Sequence, residues 1–370
     1  MKLAIVRQRY NFAGGAERFV ERALESLHAQ GVDVTLIARH WQGEGCGERI
    51  FCDPFYIGRT WRDSSFARAV QKLIATGRFD LVQSHERIPG CHIYRAGDGV
   101  HATWLDLAGK SFTAFSPWHR YTLAAEAAMF CHPALRAVIC NSHMVKDDIA
   151  RRFPETAHKL QVIYNGVDTD HFHPGLRDEY RTTLRAKVGA DETVPVILFV
   201  GSGFARKGVG TLIKTLARMQ NRAAEVWIVG RDRHQTRYAE QARQLGIAGR
   251  VRFFGAQTEV RPFYAAADVF CLPTLYDPLP NAALEALACG LPTVTTPTSG
   301  AAELITPGIN GQISPLLDPV TLANQLDALC EPGRALSMRP AARACVEHLS
   351  PAAMAEQLVA LYLRLSQTNP

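Results

Sequence analysis

Short apolar runs alternate with helical patterns along the whole chain. In the first half the runs are "KLAIV" (2–6), "DVTLIA" (33–38), "FDLVQ" (79–83), "AVIC" (137–140) and "LQVIY" (160–164). In the second half they are "PVILFV" (195–200), "EVWIV" (225–229), "VRFF" (251–254), "VFCL" (269–272) and "PTVTT" (292–296). Many lack period-two alternation, which is how strands read when helices cover both faces. Strand and helix in alternation predict parallel sheets with right-handed crossovers. The fold class expected is α/β, with two doubly wound Rossmann-like domains facing a cleft.

After "NGVDTDHFHP" (165–174) the polar segment "GLRDEYRTTLRAKVGADET" precedes a new strand. A boundary near 175–190 divides the chain into domains 1–175 and 176–350. A last helical pattern, 351–366, carries Met354, Leu358, Leu361 and Leu363 and is expected to pack back on the first domain. Ligands in open parallel sheets bind outside the carboxyl ends of the strands, so the loops there are searched for chemistry.

Composition narrows the classes. Of 370 residues, 47% are hydrophobic and 21% charged, enough to bury a real core. No apolar run approaches the ~18–20 residues that cross a bilayer. Arg7 and Arg9 follow only four apolar residues, too few for a signal peptide, so a cytoplasmic location is expected. The nine cysteines are scattered without any Cys-x-x-Cys, which favours free thiols over zinc or disulfides. The net charge of +6 is spread evenly, and no basic block points to nucleic acid.

Three loops carry candidate chemistry. In "FVGSGFARKGVGTL" (199–212) the sixth position of a dinucleotide fingerprint is Arg206, not glycine, and Lys207-Gly208 reverses the Walker order. What remains is a glycine-rich turn with two cations at a helix start, suited to a phosphate. The plainer alternative is a surface Arg-Lys pair. In "TLYDPLPNAALEALACGLPTVTT" (274–296) the prolines delay a helix that opens at Asn281, Ala282 and Ala283. Asp277 lies before it and Glu285 on its first turns, with the amides of 281–283 pointing between them; an ordinary capped helix with one buried Glu is the alternative. In "YNFAGGAERFVERALESL" (10–27) Gly14-Gly15 follows the first strand, either to let a ligand approach the backbone or to make a tight turn. "DTD" (168–170) matches an Asp-x-Asp metal signature but is read as a loop.

"GGAER", "IYNGVD", "FVG…RKG", "FFG" and the D-x7-E stretch ending in "EALACGLP" occur in order over the whole chain. Together they resemble the retaining nucleotide-sugar glycosyltransferases of family 4, with the GT-B fold. Within the family, "GSGFARKGV" and "RAGDG" resemble the bacterial lipopolysaccharide core glucosyltransferases. The resemblance implies that Arg206 and Lys207 bind the donor diphosphate, Glu285 the ribose and Asp277 the donor sugar. It implies phosphate or sugar contacts from the amides of Asn281, Ala282 and Ala283. Gly255, Gln257 and Val260 would flank the nucleobase, and Gly14 and Gly15 the donor–acceptor junction. Many relatives carry Gly-Arg where this chain has Gly201-Ser202, and Glu where it has Asp277. At the first domain's fourth strand many carry a His, where "RAGDGVH" sets Asp98 or His101; Asp98 is favoured beside the transferred sugar.

The function expected is retaining transfer of a hexose, glucose, from a nucleoside diphosphate sugar such as UDP-glucose to a glycolipid, oligosaccharide or lipopolysaccharide core acceptor, without a metal. A nucleotide-sugar-binding protein without transfer activity is the alternative. The aromatic segment 101–130, with Phe112, Phe115, Trp118, Lys110 and Arg120, is expected either to touch an anionic membrane peripherally on its inner face or to pack inside the first domain.

Overall fold

The computed structural model describes residues 1–11, 31–42, 48–109 and 116–367. The chain forms two compact units, Met1–Gly166 with Pro351–Pro370, and Val167–Ser350.

Unit 1 is built on seven parallel strands in the order β5-β3-β1-β6-β7-β8-β9. These are β1 (Lys2–Val6), β3 (Asp33–Ala38), β5 (Glu48–Phe51), β6 (Leu81–Ser84), β7 (Ile93–Arg95), β8 (Ala137–Cys140) and β9 (Leu160–Val162). Two further short strands, β2 (Arg9–Asn11) and β4 (His40–Gln42), pair with each other. Successive side chains of a strand point to opposite faces. In β1, Leu3 and Ile5 join Ile93 and Ile139 on one face, against Met354, Leu358, Leu361, Tyr362 and Leu365 of the helix Pro351–Gln367. Ala4 and Val6 join Val82 on the other, against Phe66 and Val70 of the helix Gly58–Ile74. With helices on both faces, the strands have no polar side to show, hence their unbroken apolar spelling. Tyr362 adds a buried hydroxyl that donates to Gln83 Oε1 at 2.6 Å.

Unit 2 is built on six parallel strands in the order β12-β11-β10-β13-β14-β15. These are β10 (Val196–Val200), β11 (Glu225–Val229), β12 (Val251–Gly255), β13 (Val269–Leu272), β14 (Thr293–Thr295) and β15 (Gly311–Ile313). β10 sits in the middle, so its carboxyl end opens beside those of β11 and β13.

The polar segment 175–190, read from the sequence as a boundary, is the helix Leu176–Val188, and it belongs to unit 2. Its polarity conceals an anchor. Arg185 is fully buried and donates to Asp268 Oδ2 at 2.8 Å and to the Ala266 carbonyl at 3.0 Å. Arg181 reaches the other Asp268 oxygen at 3.0 Å. Strands β5, β7 and β15 were not legible either. β5 is an edge strand spelled "ERIF" with little burial, and β7 and β15 are three residues each.

Candidate active site

The loop after β10 is held by backbone contacts that exclude side chains. Gly201 donates its amide to the Val229 carbonyl at 2.9 Å. A Cβ on Gly230, at φ 137°, would lie 1.9 Å from the Gly201 carbonyl oxygen; one on Gly208, at φ 81°, would lie 1.9 Å from that of Pro273. Both positions therefore require glycine. Between Gly201 and Gly208 the single turn Phe204–Lys207 is anchored by Phe204, which is fully buried against Phe199 and Tyr238 and donates its own amide to Asp232 Oδ2 at 2.8 Å. Ser202 Oγ accepts from the Arg231 amide at 3.4 Å.

With Phe204 pulled inward, Arg206 and Lys207 turn towards the segment after β13. The Arg206 carbonyl accepts from Leu275 N at 2.8 Å and Thr274 Oγ1 at 3.1 Å. Its guanidinium donates to the Tyr276 carbonyl at 2.8 Å and lies 3.2 Å from Asp277 Oδ2. Lys207 Nζ donates to the same Asp277 oxygen at 2.8 Å. Asp277 is only 7% exposed, and its main chain is fixed from both sides by Thr298 O and Gly300 N, at 3.1 and 2.9 Å. One carboxylate oxygen thus gathers both cations of the glycine-rich turn. Charge-assisted contacts of this kind are short and directional.

Glu285 lies on the helix Asn281–Ala288. Its Oε2 accepts from Tyr264 Oη at 2.8 Å. Burial raises the Glu285 pKa above the ordinary carboxylate value, while the Tyr264 hydrogen bond and the nearby Lys207 charge pull it back. The ammonium of Lys207 therefore acts on both acids of the D-x7-E stretch, touching Asp277 and reaching Glu285 through space. At the start of this helix the sequence reading needs a correction. The amide of Ala283 does not point outward but bonds the Pro280 carbonyl at 3.0 Å, because the turn tightens behind Pro280. Asn281 and Ala282 open the helix at its half-exposed end.

In the loop after β12, Gly255 ends the strand and Gln257 Nε2 donates to the Phe254 carbonyl at 2.6 Å. Val260 precedes the helix Arg261–Ala266. Sequence reasoning missed Glu259 here. Its carboxylate accepts from Arg261 Nε at 2.9 Å and from the Arg261 amide at 3.0 Å, and chiefly the Arg261 side-chain bond holds its pKa down to about 2. It also missed Tyr264 and Arg231; the only local signal for the latter was "GRD" directly after the strand "EVWIV".

In unit 1, Asp98 is exposed on the turn after β7. That turn is tied down from beneath. Arg87 donates to the Gly99 carbonyl at 3.0 Å and to the buried Glu126 at 2.8 Å, and Glu126 accepts the His101 amide at 3.0 Å. His101 is 8% exposed and meets His119 at 3.0 Å; burial first, then Arg87, lowers its pKa to about 3. The imidazole stays neutral in a packed cluster, so of the two candidates only Asp98 presents a polar group outward. Gly14, Gly15, Lys110, Phe112 and Phe115 lie outside the described residues. Trp118 is tied inward: its indole donates to Asp63 at 2.7 Å and Arg59 stacks 3.3 Å from its ring centre. Asp168 uses Oδ1 to accept the Asp170 and His171 amides at 3.2 and 3.0 Å. Among the described residues no cluster of three metal-ligating side chains occurs.

The raised Glu285 pKa has a measurable sign. The folded protein holds that proton more tightly than the unfolded chain, so stability is fullest below the ordinary carboxylate pKa and is lost as pH rises through the folded value. Glu285→Gln removes the titration. The melting temperature of the variant relative to the parent is expected to increase from acid to neutral pH; thermal melts across that pH series check it.

Residues 13–171 match the family model described as Glycosyltransferase Family 4, and residues 194–331 the model described as Glycosyl transferases group 1. The lipopolysaccharide glucosyltransferase WaaG of Escherichia coli strain K12 is 25% identical over 310 residues, 82% of this chain and 83% of that protein. The lipopolysaccharide core biosynthesis glycosyltransferase LpsE of Rhizobium meliloti is 34% identical over 145 residues, 39% of this chain and 42% of its own. The crystal structure of WaaG superposes with a TM-score of 0.83 at 23% identity, covering 97% of this chain and 99% of that one. That of Anabaena HepE in complex with UDP-glucose gives 0.71 at 20% identity, over 98% and 99%. One model on each unit, and one shared fold over nearly the whole length, lead to the same place: the chain joins a Glycosyltransferase Family 4 domain to a Glycosyl transferases group 1 domain in the GT-B fold, and it is a hexosyltransferase.

Proposed function

We propose that the chain is a retaining glucosyltransferase that uses UDP-glucose and acts on a lipopolysaccharide core or related glycolipid acceptor. The observation that carries the reading is the meeting of Arg206 and Lys207 on one oxygen of Asp277, at the carboxyl ends of β10 and β13. Without donor, Asp277 neutralises the cations and holds them in place. A diphosphate that binds there takes over both cations and leaves Asp277 to accept hydroxyls of the sugar. Glu285, with Oε2 occupied by Tyr264, has Oε1 to offer the ribose. As the bond from the anomeric carbon to the diphosphate breaks, the growing charge falls on groups already fixed, so little reorganisation is needed at that moment. The acceptor hydroxyl bonds the anomeric carbon on the same face and its proton passes to the departing phosphate oxygen. We assign Asp98 to the acceptor side. The WaaG and LpsE relationships support the acceptor class, and the UDP-glucose held by HepE supports the donor.

A peripheral contact with anionic membrane belongs to the same reading, through a surface other than Trp118. Phe51, Phe55, Ile57 and Trp61 are 66%, 72%, 70% and 42% exposed around edge strand β5. The acids among them are already matched, Asp53 by Arg39 and Glu48 by Arg78, so no free carboxylate of this patch repels an anionic surface. Aromatic and basic side chains together suit a headgroup boundary.

Three outcomes test the reading. Lys207→Ala should lower transfer about 10²–10³-fold, while Asp277→Ala abolishes transfer and leaves UDP affinity nearly intact; steady-state rates and UDP calorimetry measure both, and a Lys207→Ala enzyme within threefold of the parent rejects the diphosphate site. Transfer in excess EDTA should equal transfer with magnesium or manganese, and a loss restored by manganese would return Asp168 and Asp170 as ligands. Phe55→Ser with Ile57→Ser should reduce co-sedimentation with anionic liposomes without changing UDP release; a parent protein that stays in the supernatant at low salt removes the membrane contact.

A further inference from the structure

After β14 the chain runs back past Asp277 before the short helical turn Gly300–Leu304. Asp277 donates its amide to the Thr298 carbonyl and accepts the Gly300 amide on its own carbonyl, which pairs it with Ser299 in an isolated parallel bridge. Residues paired across parallel segments stand about 5 Å apart and set their side chains on one face. The Ser299 hydroxyl and the Asp277 carboxylate are therefore neighbours.

Ser299 is fully buried, and its hydroxyl makes no hydrogen bond. Two ordinary uses of a buried serine are both missing. Ser299 occupies the N-cap of Gly300–Leu304, yet its side chain makes no capping bond, whereas Ser116, Ser142 and Asp318 cap their helices. Nor does it bond back to a carbonyl, as Thr293, Thr295 and Thr296 just before it do, to Leu291, Leu272 and Thr274 at 3.1, 3.0 and 2.6 Å. Its main chain is fixed meanwhile, the amide on the Thr296 carbonyl and the carbonyl on the Ala302 amide. Among the described residues Tyr94, Thr215 and Ser314 also bury a hydroxyl without a hydrogen bond, but none of them is bridged to a residue of the proposed site. A buried hydroxyl left without a partner costs free energy and calls for a reason.

With no exposed surface, this hydroxyl cannot touch a substrate directly. What it can serve is the carboxylate beside it. Asp277 holds Lys207 and Arg206 on Oδ2, and among the described residues its Oδ1 takes no hydrogen bond. A serine hydroxyl rotates to donate, and an ionised carboxylate only accepts. A diphosphate that draws both cations away leaves the carboxylate in need of another donor.

We propose that Ser299 is a positioning residue for Asp277. Once a diphosphate has taken Arg206 and Lys207, the carboxylate turns from the cations, the Ser299 hydroxyl donates to one of its oxygens, and the other oxygen is left for the hydroxyls of the donor sugar. The part played by the sugar rests on the glycosyltransferase reading above. Diphosphate binding and the readiness of Asp277 thus become one event.

The test is a double-mutant cycle on the full chain, with UDP affinity read by calorimetry. Ser299→Ala is expected to weaken UDP binding about tenfold, the worth of one hydrogen bond to a charged group. In the Asp277→Ala background the same change is expected to do nothing. Ser299→Thr, which keeps the hydroxyl on an extended backbone at φ −107° and ψ 129°, is expected to bind UDP like the parent. Thermal melts without ligand should put Ser299→Ala level with the parent or above it, since the hydroxyl is unpaired there, and kcat/KM for UDP-glucose should fall with the UDP affinity. The proposal is overturned if Ser299→Ala melts below the parent, if it binds UDP as the parent does, if it weakens binding equally without Asp277, or if Ser299→Thr is as weak as Ser299→Ala. A parent protein that binds no UDP overturns it as well. If the cycle holds but UDP-glucose is never turned over, the positioning of Asp277 stands and the glycosyltransferase reading falls.

Discussion

A parallel strand cannot hairpin back to its neighbour. Every pairing in both sheets is parallel, so each strand must leave at its carboxyl end and return by a crossover. That constraint brings the carboxyl ends of β10, β11 and β13 to one edge of unit 2, and those of β1, β6 and β7 to one edge of unit 1. The chemistry follows from it. Segments distant in sequence, such as Lys207 and Asp277, meet because β10 and β13 are adjacent. The donor-side constellation is preorganised at some cost. Gly208 and Gly230 are pressed against the carbonyls of Pro273 and Gly201, which leaves the turn between Gly201 and Gly208 little room to move. Glu285 is kept buried, where its charge is disfavoured, with Tyr264 and Lys207 as partial compensation. Such groups are poor contributors to stability and good contributors to a fixed electrostatic environment. In the function proposed above, Asp277 does two things in turn: it holds the cations while the site is empty, and it becomes available to the sugar when the cations are claimed by phosphate. Its short side chain keeps the carboxylate close to the main chain and thus close to Lys207.

Buried arginines serve the architecture of this chain. Arg185 is fully buried, yet it meets Asp268 and the carbonyls of Ala266, Asp191 and Val194, which explains it as an anchor for a polar helix. Arg87 and Glu126 likewise hold the turn that presents Asp98.

Hydrophobic patterning alone determined most of the framework. The runs 2–6, 33–38, 137–140, 225–229 and 269–272 are strands with the boundaries read from the sequence, because a strand covered on both faces must be apolar throughout. The glycine-rich turn and the D-x7-E stretch were legible as well, since tight backbone approach and helix starts leave local spellings. Strands β5, β7 and β15 were not, being too short or too exposed for a pattern to form. The polar helix Leu176–Val188 read as a boundary because its anchor is an arginine, whose burial depends on Asp268 far along the chain. Only the tertiary structure could show that Arg206 and Lys207 share one oxygen of Asp277, that Ala283 turns its amide inward, and that Trp118 is bound to Asp63. Each of these depends on which strands and helices become neighbours. Local sequence sets the elements; the parallel crossovers decide which of their ends meet.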